Sequence, residues 1–171
     1  MPSVDVLRTY LEMRAPDALR AAPPPASPAP LVVRRLERPT VEEYRALYAG
    51  VGERYHWRDR LRWSDEELAA HLALRSVMVW VLEAGDETAG YFELKRHFDE
   101  SVEIAYFGLF PAFVGRGLGR FLLTRAIEEA WALEATRVWV HTCTLDHPSA
   151  LGNYRARGMT EYRTESYQTE I

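Results

Sequence analysis

Three glycines in five residues, Gly115-Arg116-Gly117-Leu118-Gly119, form the stretch of this chain best suited to ligand chemistry. No Cβ stands in the way at a glycine, so the backbone can close on a ligand. The stretch follows an apolar, strand-like run at 103–110 and opens a helix-like run at 121–127. A helix N-terminus presents unpaired N–H groups and the positive end of the dipole, which favour an anion, usually a phosphate. A P-loop needs Lys and then Ser or Thr after its last glycine, whereas Arg120-Phe121 follow Gly119. A dinucleotide fingerprint needs Gly-x-Gly-x-x-Gly and an acidic residue at the next strand end. The spacing is instead Gly-x-Gly-x-Gly, and the next strand ends in His141-Thr142-Cys143. The plain alternative is a glycine turn that only caps a helix.

Two other clusters carry chemistry-bearing side chains. His141 and Cys143 share a strand face and precede Asp146 and His147, but the spacing of a four-ligand zinc site is missing. A histidine and a cysteine of the sheet interior are the commoner outcome, so no metal is expected. The segment Tyr55-His56-Trp57-Arg58-Asp59-Arg60-Leu61-Arg62-Trp63 mixes aromatics with arginines. It suits an acidic or aromatic ligand, cation–π pairing among its own members, or a tryptophan-anchored loop.

The elements that must position these groups alternate along the chain. Residues 1–20 read as an N-terminal arm with a short strand marked by Val4 and Val6, with Leu11 and Met13 as further members, able to join a sheet edge or a partner. Residues 21–30 are a Pro/Ala-rich linker that can be neither helix nor central strand. From residue 31 to 171 one domain is expected. Strands are predicted at Leu31–Leu36, Val77–Glu83, Ala89–Arg96, Ser101–Phe110, Arg137–Cys143 and Thr160–Thr169. Helices are predicted at Val41–Tyr48, from Ser64 to about Leu74, from the glycine loop to about Leu133, and at Ser149–Arg157. Thr40/Glu43 and Ser64/Glu67 are capping boxes, and Gly158 suits the position after a helix C-terminus. A three-strand meander followed by βαβ makes an α/β (α+β) fold, a mixed central sheet with helices on both faces.

Composition narrows the function classes. At 171 residues, 47% hydrophobic and 27% charged, the chain reads as an ordinary soluble protein with one core. No apolar run reaches the ~20 residues of a membrane span, and Asp5 and Glu12 interrupt any signal-peptide pattern, so a cytoplasmic location is expected. A single cysteine excludes an internal disulfide framework. A net charge of −4 argues against general nucleic-acid binding. Lys95 is the only lysine; the arginine skew suits a GC-rich, bacterial coding sequence.

The glycine loop resembles the coenzyme A pyrophosphate loop of the GNAT acyltransferase superfamily, Arg/Gln-x-x-Gly-x-Gly/Ala. Gly117 and Gly119 fit its last two fixed positions, Gly115-Arg116 fit its common extended form, and Val114 stands where Arg or Gln is usual. A second family motif, Asn-x-x-Ala-x-x-x-Tyr-x-x-x-Gly-Phe, is matched at Ala150, Tyr154 and Gly158, with His147 and Met159 as departures. The likeness covers about residues 31–169. It is strongest to bacterial members with a Tyr106-Phe107-Gly108-Leu109 strand and a segment like His141–Pro148.

The resemblance implies an acetyl-coenzyme A-dependent N-acetyltransferase that moves the acetyl group to a primary amine of a small molecule or peptide, by direct attack in a ternary complex. It implies contacts to coenzyme A from the main chain of Leu109 and Phe110, from the loop Val114, Gly115, Arg116, Gly117, Leu118, Gly119 and Arg120, and from His147 and Asn153. Glu103 is the implied general base, with Glu93 on the neighbouring strand as competitor or amine-binding anion and Tyr106 as a third choice. Tyr154 is the implied acid for the leaving thiolate. Trp57 and Arg58 would meet the acceptor. A homodimer through the arm is one expectation for assembly. Rival readings are a non-catalytic acyl-coenzyme A sensor on the same fold and an NAD enzyme.

Overall fold

A computed structural model describes residues 1–171. Eleven principal elements run in the order β1 (Ser3–Met13), β2 (Leu31–Leu36), α1 (Val41–Gly52), α2 (Asp65–Leu72), β3 (Val77–Ala84), β4 (Glu87–Arg96), β5 (Val102–Leu109), α3 (Leu118–Ala132), β6 (Val138–Cys143), α4 (Ala150–Ala156) and β7 (Thr160–Glu170). Both capping boxes form. Thr40 Oγ1 accepts from the Glu43 N–H at 3.1 Å while the Glu43 carboxylate accepts from the Thr40 N–H at 2.8 Å. Ser64 and Glu67 repeat the arrangement at the start of α2.

All seven strands make one mixed sheet in the order β2-β3-β4-β5-β6-β1-β7. The expected α/β layering is present, because a sheet with apolar residues on both faces must be covered on both. On one face α3 and α4 bury Leu122, Leu123 and Ile127 against Phe92, Leu94 and Ile104. On the other, α1 and α2 bury Tyr44, Tyr48 and Leu68 against Val79, Val81 and Tyr91. Alternation on β4 therefore sends Phe92 and Leu94 to one core, and Tyr91 to the other. No helix is long and apolar enough to cross a membrane.

The N-terminal segment differs from expectation. β1 is not at an edge: it lies between β6 and β7, antiparallel to both. Leu11 and Met13 are essentially inaccessible and join the main core. The Pro/Ala-rich stretch that follows crosses α3 as a strap. The Ala22 N–H donates to Thr124 Oγ1 at 2.9 Å, and Pro25 lies beside Gly117.

Candidate active site

Parallel strands β5 and β6 pair only at Val102↔Val138 and Glu103↔Trp139. Beyond Glu103, β5 stays with β4 while β6 stays with β1, so the two strands part. A cleft of about 1270 Å³ opens between them. It reaches from the 55–62 segment and Glu103 at one end to the glycine loop and α4 at the other. The parted edges leave main-chain groups free to pair with an extended ligand as an added strand would. Leu109 lines this cleft. Phe110 does not: its N–H donates to Ala89 O at 2.8 Å, its carbonyl accepts from Phe113 N–H at 2.9 Å, and its ring packs over Gly50.

The glycine loop ends the cleft. Gly115 (φ 84°) and Gly117 (φ 79°) hold left-handed backbone that side chains other than glycine adopt at a cost. Gly117 is the N-cap of α3, and no side chain caps the helix there. The first-turn N–H groups are thus left for an external acceptor, with the helix dipole behind them. Val114, Gly115, Gly117, Gly119 and Arg120 line the cleft. Leu118 turns into the core at 3% exposure, and Arg116 lays its guanidinium 5.0 Å over the Phe113 ring. Asn153 reaches the same end and ties α4 to α3 by donating from Nδ2 to Gly119 O at 3.2 Å. His147 accepts the Ser149 N–H at Nδ1 and packs against Tyr55.

The two candidate carboxylates differ completely. Glu93 has no exposure at all. Arg60 donates to both its oxygens, at 2.9 and 3.0 Å, the Tyr44 hydroxyl donates at 2.6 Å, and His71 Nε2 is 3.1 Å away. Burial pushes its carboxyl up, but hydrogen bonds from His71 and Arg60, the Arg60 charge and Tyr44 outweigh this and hold it below the ordinary carboxylate range. Glu93 does not line the cleft; it anchors, through Arg60, the loop that does. Arg60 is in turn sandwiched by the rings of Trp63 (4.6 Å) and Tyr106 (4.8 Å).

Glu103 lines the cleft where the strands part. One carboxylate oxygen is 2.9 Å from His97 Nε2, the other 4.0 Å from His141 Nε2. Lys95 is its cross-strand partner and also reaches the cleft. Burial and the Arg8 charge keep His141 below the ordinary imidazole range, so it is neutral at pH 7. The sequence marked neither His97 nor the proton-handling use of His141: His97 meets Glu103 across the β4–β5 turn, and His141 comes beside it because β5 and β6 pair there. Tyr106 lies among Tyr48 and Trp57, and burial raises its phenol well above the ordinary value.

Trp57 and Arg58 stand on the cleft wall. Trp57 is held from beneath by Tyr48, Tyr91 and Tyr106, in a space that Gly52 and Gly108 leave open. Arg58 makes no ion pair. Tyr154 packs edge-on to Phe107 with its ring 6.3 Å away and is 6% exposed. Its hydroxyl touches the cleft and hydrogen-bonds to no protein group. Burial, with the Asp146 charge, pushes its pKa far up, so it keeps its proton at neutral pH. His141 and Cys143 also face the cleft, yet no three His, Cys, Asp or Glu side chains gather as metal ligands. Asp146 is occupied with Thr142 Oγ1 and the Cys143 N–H.

Residues 41–159 match the pattern that defines the acetyltransferase (GNAT) family. A mycothiol acetyltransferase of Corynebacterium efficiens is 32% identical over 114 residues, which cover 63% of this chain and 38% of that relative. A GCN5-related N-acetyltransferase from Kribbella flavida superposes with a TM-score of 0.67 at 18% identity, covering 97% of this chain and 58% of that one. A second one, from Sphaerobacter thermophilus, gives 0.66 at 15% identity, with 99% and 52% covered. The ribosomal-protein-S18-alanine N-acetyltransferase of Escherichia coli gives 0.60 at 19% identity, with 78% and 80% covered. The chain thus spans well under two thirds of several of these relatives.

Proposed function

Because the chain belongs to the GNAT acetyltransferase family, we propose that it transfers an acetyl group from acetyl-coenzyme A to a primary amine of a small molecule or peptide, by direct attack in a ternary complex. The observation that carries this reading is the cleft between β5 and β6, with an uncapped, glycine-opened helix at one end and a histidine-flanked carboxylate at the other. That end of α3 suits a pyrophosphate, and the free β5 edge around Leu109 suits the amide-bearing pantetheine arm.

An amine of pKa about 10.4 is mostly protonated at pH 7 and must lose a proton before it attacks. Glu103 is the group suited to take it, directly or through one water. A free main-chain N–H on the β5 edge suits the oxyanion that forms as nitrogen adds to the thioester carbon. As the carbon–sulfur bond breaks, the electron pair leaves on sulfur, and the protonated Tyr154 hydroxyl is suited to donate to it. Glu93 takes no part beyond holding Arg60 and its loop. Trp57, Arg58 and Lys95 give the acceptor end an aromatic and cationic character, which suits an amine that also carries an acidic or aromatic group.

The test is thiol release from acetyl-coenzyme A across a panel of amines, run beside calorimetric titration with coenzyme A. Turnover on at least one amine, abolished by Glu103→Gln, supports the reading. Coenzyme A binding with no turnover on any acceptor would replace it with a sensor role.

A further inference from the structure

The acceptor end of the cleft holds a cation that the protein leaves unmatched. Lys95, the only lysine of the chain, lies on β4 directly opposite Glu103 on β5. Both side chains line the cleft. Residues paired in this way across antiparallel strands stand about 5 Å apart at Cβ, and opposite charges there favour an ion pair. These two form none. Glu103 turns one oxygen to His97 Nε2 at 2.9 Å, and its other lies 4.0 Å from His141 Nε2. The Lys95 ammonium meets no carboxylate. Its partner on the other side, Val77 of β3, offers no charge. Glu93, two residues back along β4, is already engaged by Arg60, Tyr44 and His71.

A carboxylate and an ammonium thus stand side by side in the cleft wall, each free of the other. Two hydrogen-bonded strands fix their spacing. A molecule with an amine and a carboxylate on one carbon matches the pair in sign and in closeness, with its amine toward Glu103 and its carboxylate on Lys95. A simple amine would leave Lys95 without an acceptor, whereas a carboxylate gains charge-assisted hydrogen bonds there. Arg58 also faces the cleft, but it belongs to the segment between α1 and α2, not to the strand beside Glu103.

We propose that Lys95 selects the acceptor: it holds an α-carboxylate, and the acceptor is a free α-amino acid, acetylated at its α-amine. The assignment rests on the acetyl-transfer reading above and narrows its acceptor from any primary amine to one with a carboxylate on the same carbon. The ammonium of the amino acid gives one proton to Glu103, and the freed nitrogen bonds to the acetyl carbon. The carbon–sulfur bond breaks with its electron pair on sulfur. Sulfur takes the Tyr154 proton, and the second nitrogen proton restores it through solvent. The products are the N-acetyl amino acid, coenzyme A and the proton that Glu103 releases.

The experiment is thiol release from acetyl-coenzyme A by the full chain. Its acceptors are free α-amino acids with aliphatic, aromatic and polar side chains, each beside its C-terminal amide and its decarboxylated amine. The amide is a weaker base than the amino acid and the decarboxylated amine a stronger one, so a preference over both reads the carboxylate and not basicity. The wild type is expected to show a kcat/KM about ten- to a hundredfold higher for at least one amino acid than for its two analogues, the scale of a charge-assisted hydrogen bond. Lys95→Met keeps the apolar stem and removes the charge. It is expected to raise KM for that amino acid by the same factor, to leave kcat nearly unchanged and to erase the preference. Lys95→Arg is expected to restore most of it. The wild-type comparison stands whether or not the variants fold. Equal rates for acid, amide and amine, turnover confined to amines without a free α-carboxylate, or a preference that survives in folded Lys95→Met overturns the assignment and leaves the acetyltransferase reading standing. Absence of thiol release with every amine removes that reading, and this one with it.

Discussion

Glu93 and Glu103 lie on adjacent strands of one sheet, and both belong to the face that α1 and α2 partly cover. One is sealed under Arg60 with every oxygen engaged; the other stands at the parting of β5 and β6 with two histidines. The difference lies in what covers them. The 55–63 loop folds Arg60 inward over Glu93, while nothing covers the sheet beyond β5, where the strands separate. A carboxylate that is fully paired and dry holds structure together. One that opens to the cleft and is flanked by ionisable rings is available for proton transfer.

The largest expected effect tests the sealed member. Glu93→Gln leaves Arg60 as a buried, partly unpaired cation and is expected to cost about 3–5 kcal/mol of stability, measured by urea unfolding. A loss below about 1 kcal/mol would mean that the cluster is dispensable. Glu103→Gln is expected to cut kcat/KM on the order of 10³-fold and leave the unfolding midpoint within about 0.5 kcal/mol of wild type. An equal loss of stability would make the two carboxylates alike after all.

Tyr154→Phe removes a hydroxyl without disturbing the ring against Phe107. It is expected to lower kcat about tenfold to a hundredfold with little change in acetyl-coenzyme A affinity; unchanged turnover would remove Tyr154 from the proton path.

The smallest effect is a pH signature of stability. His141 has a folded pKa below its ordinary 6.5, so the unfolded chain takes up a proton first and stability falls as pH drops through about 6.5. Glu93 is held below 4.5, so its contribution is full above that value and is lost as pH falls further. Unfolding measured against pH should therefore show two stages. His141→Gln should erase the upper one, and a single stage in the wild type would contradict these environments.

Much of this was readable from the residues. The capping boxes at Thr40 and Ser64 use only local partners, so sequence spacing reveals them. The glycine loop and the Ala150/Tyr154/Gly158 spacing point to the cleft because the backbone conformations they need are local too. What stayed hidden depends on distant partners. Val4 and Val6 mark a strand, but nothing in them says that it lies between β6 and β7. Phe110 reads as part of a cleft edge, yet its main chain turns back to Ala89 and Phe113. Arg60 looks like one more loop arginine until Tyr44 and Glu93 draw it inside. His141 reads as one more strand histidine until the pairing of β6 with β5 sets it beside Glu103.

The position of β1 has a consequence for the order of events during synthesis. β1 leaves the ribosome well before its two partners β6 and β7, with β2 to β5 emerging in between. Through all the intervening synthesis its hydrogen-bonding groups must wait unmatched. Meanwhile β2 to β5 can zip together as a local meander. One half of the cleft is thus built early from neighbours in sequence, and the other late by recruitment of a waiting strand. Such long-range closure slows folding and leaves a window in which β1 can pair with the wrong chain.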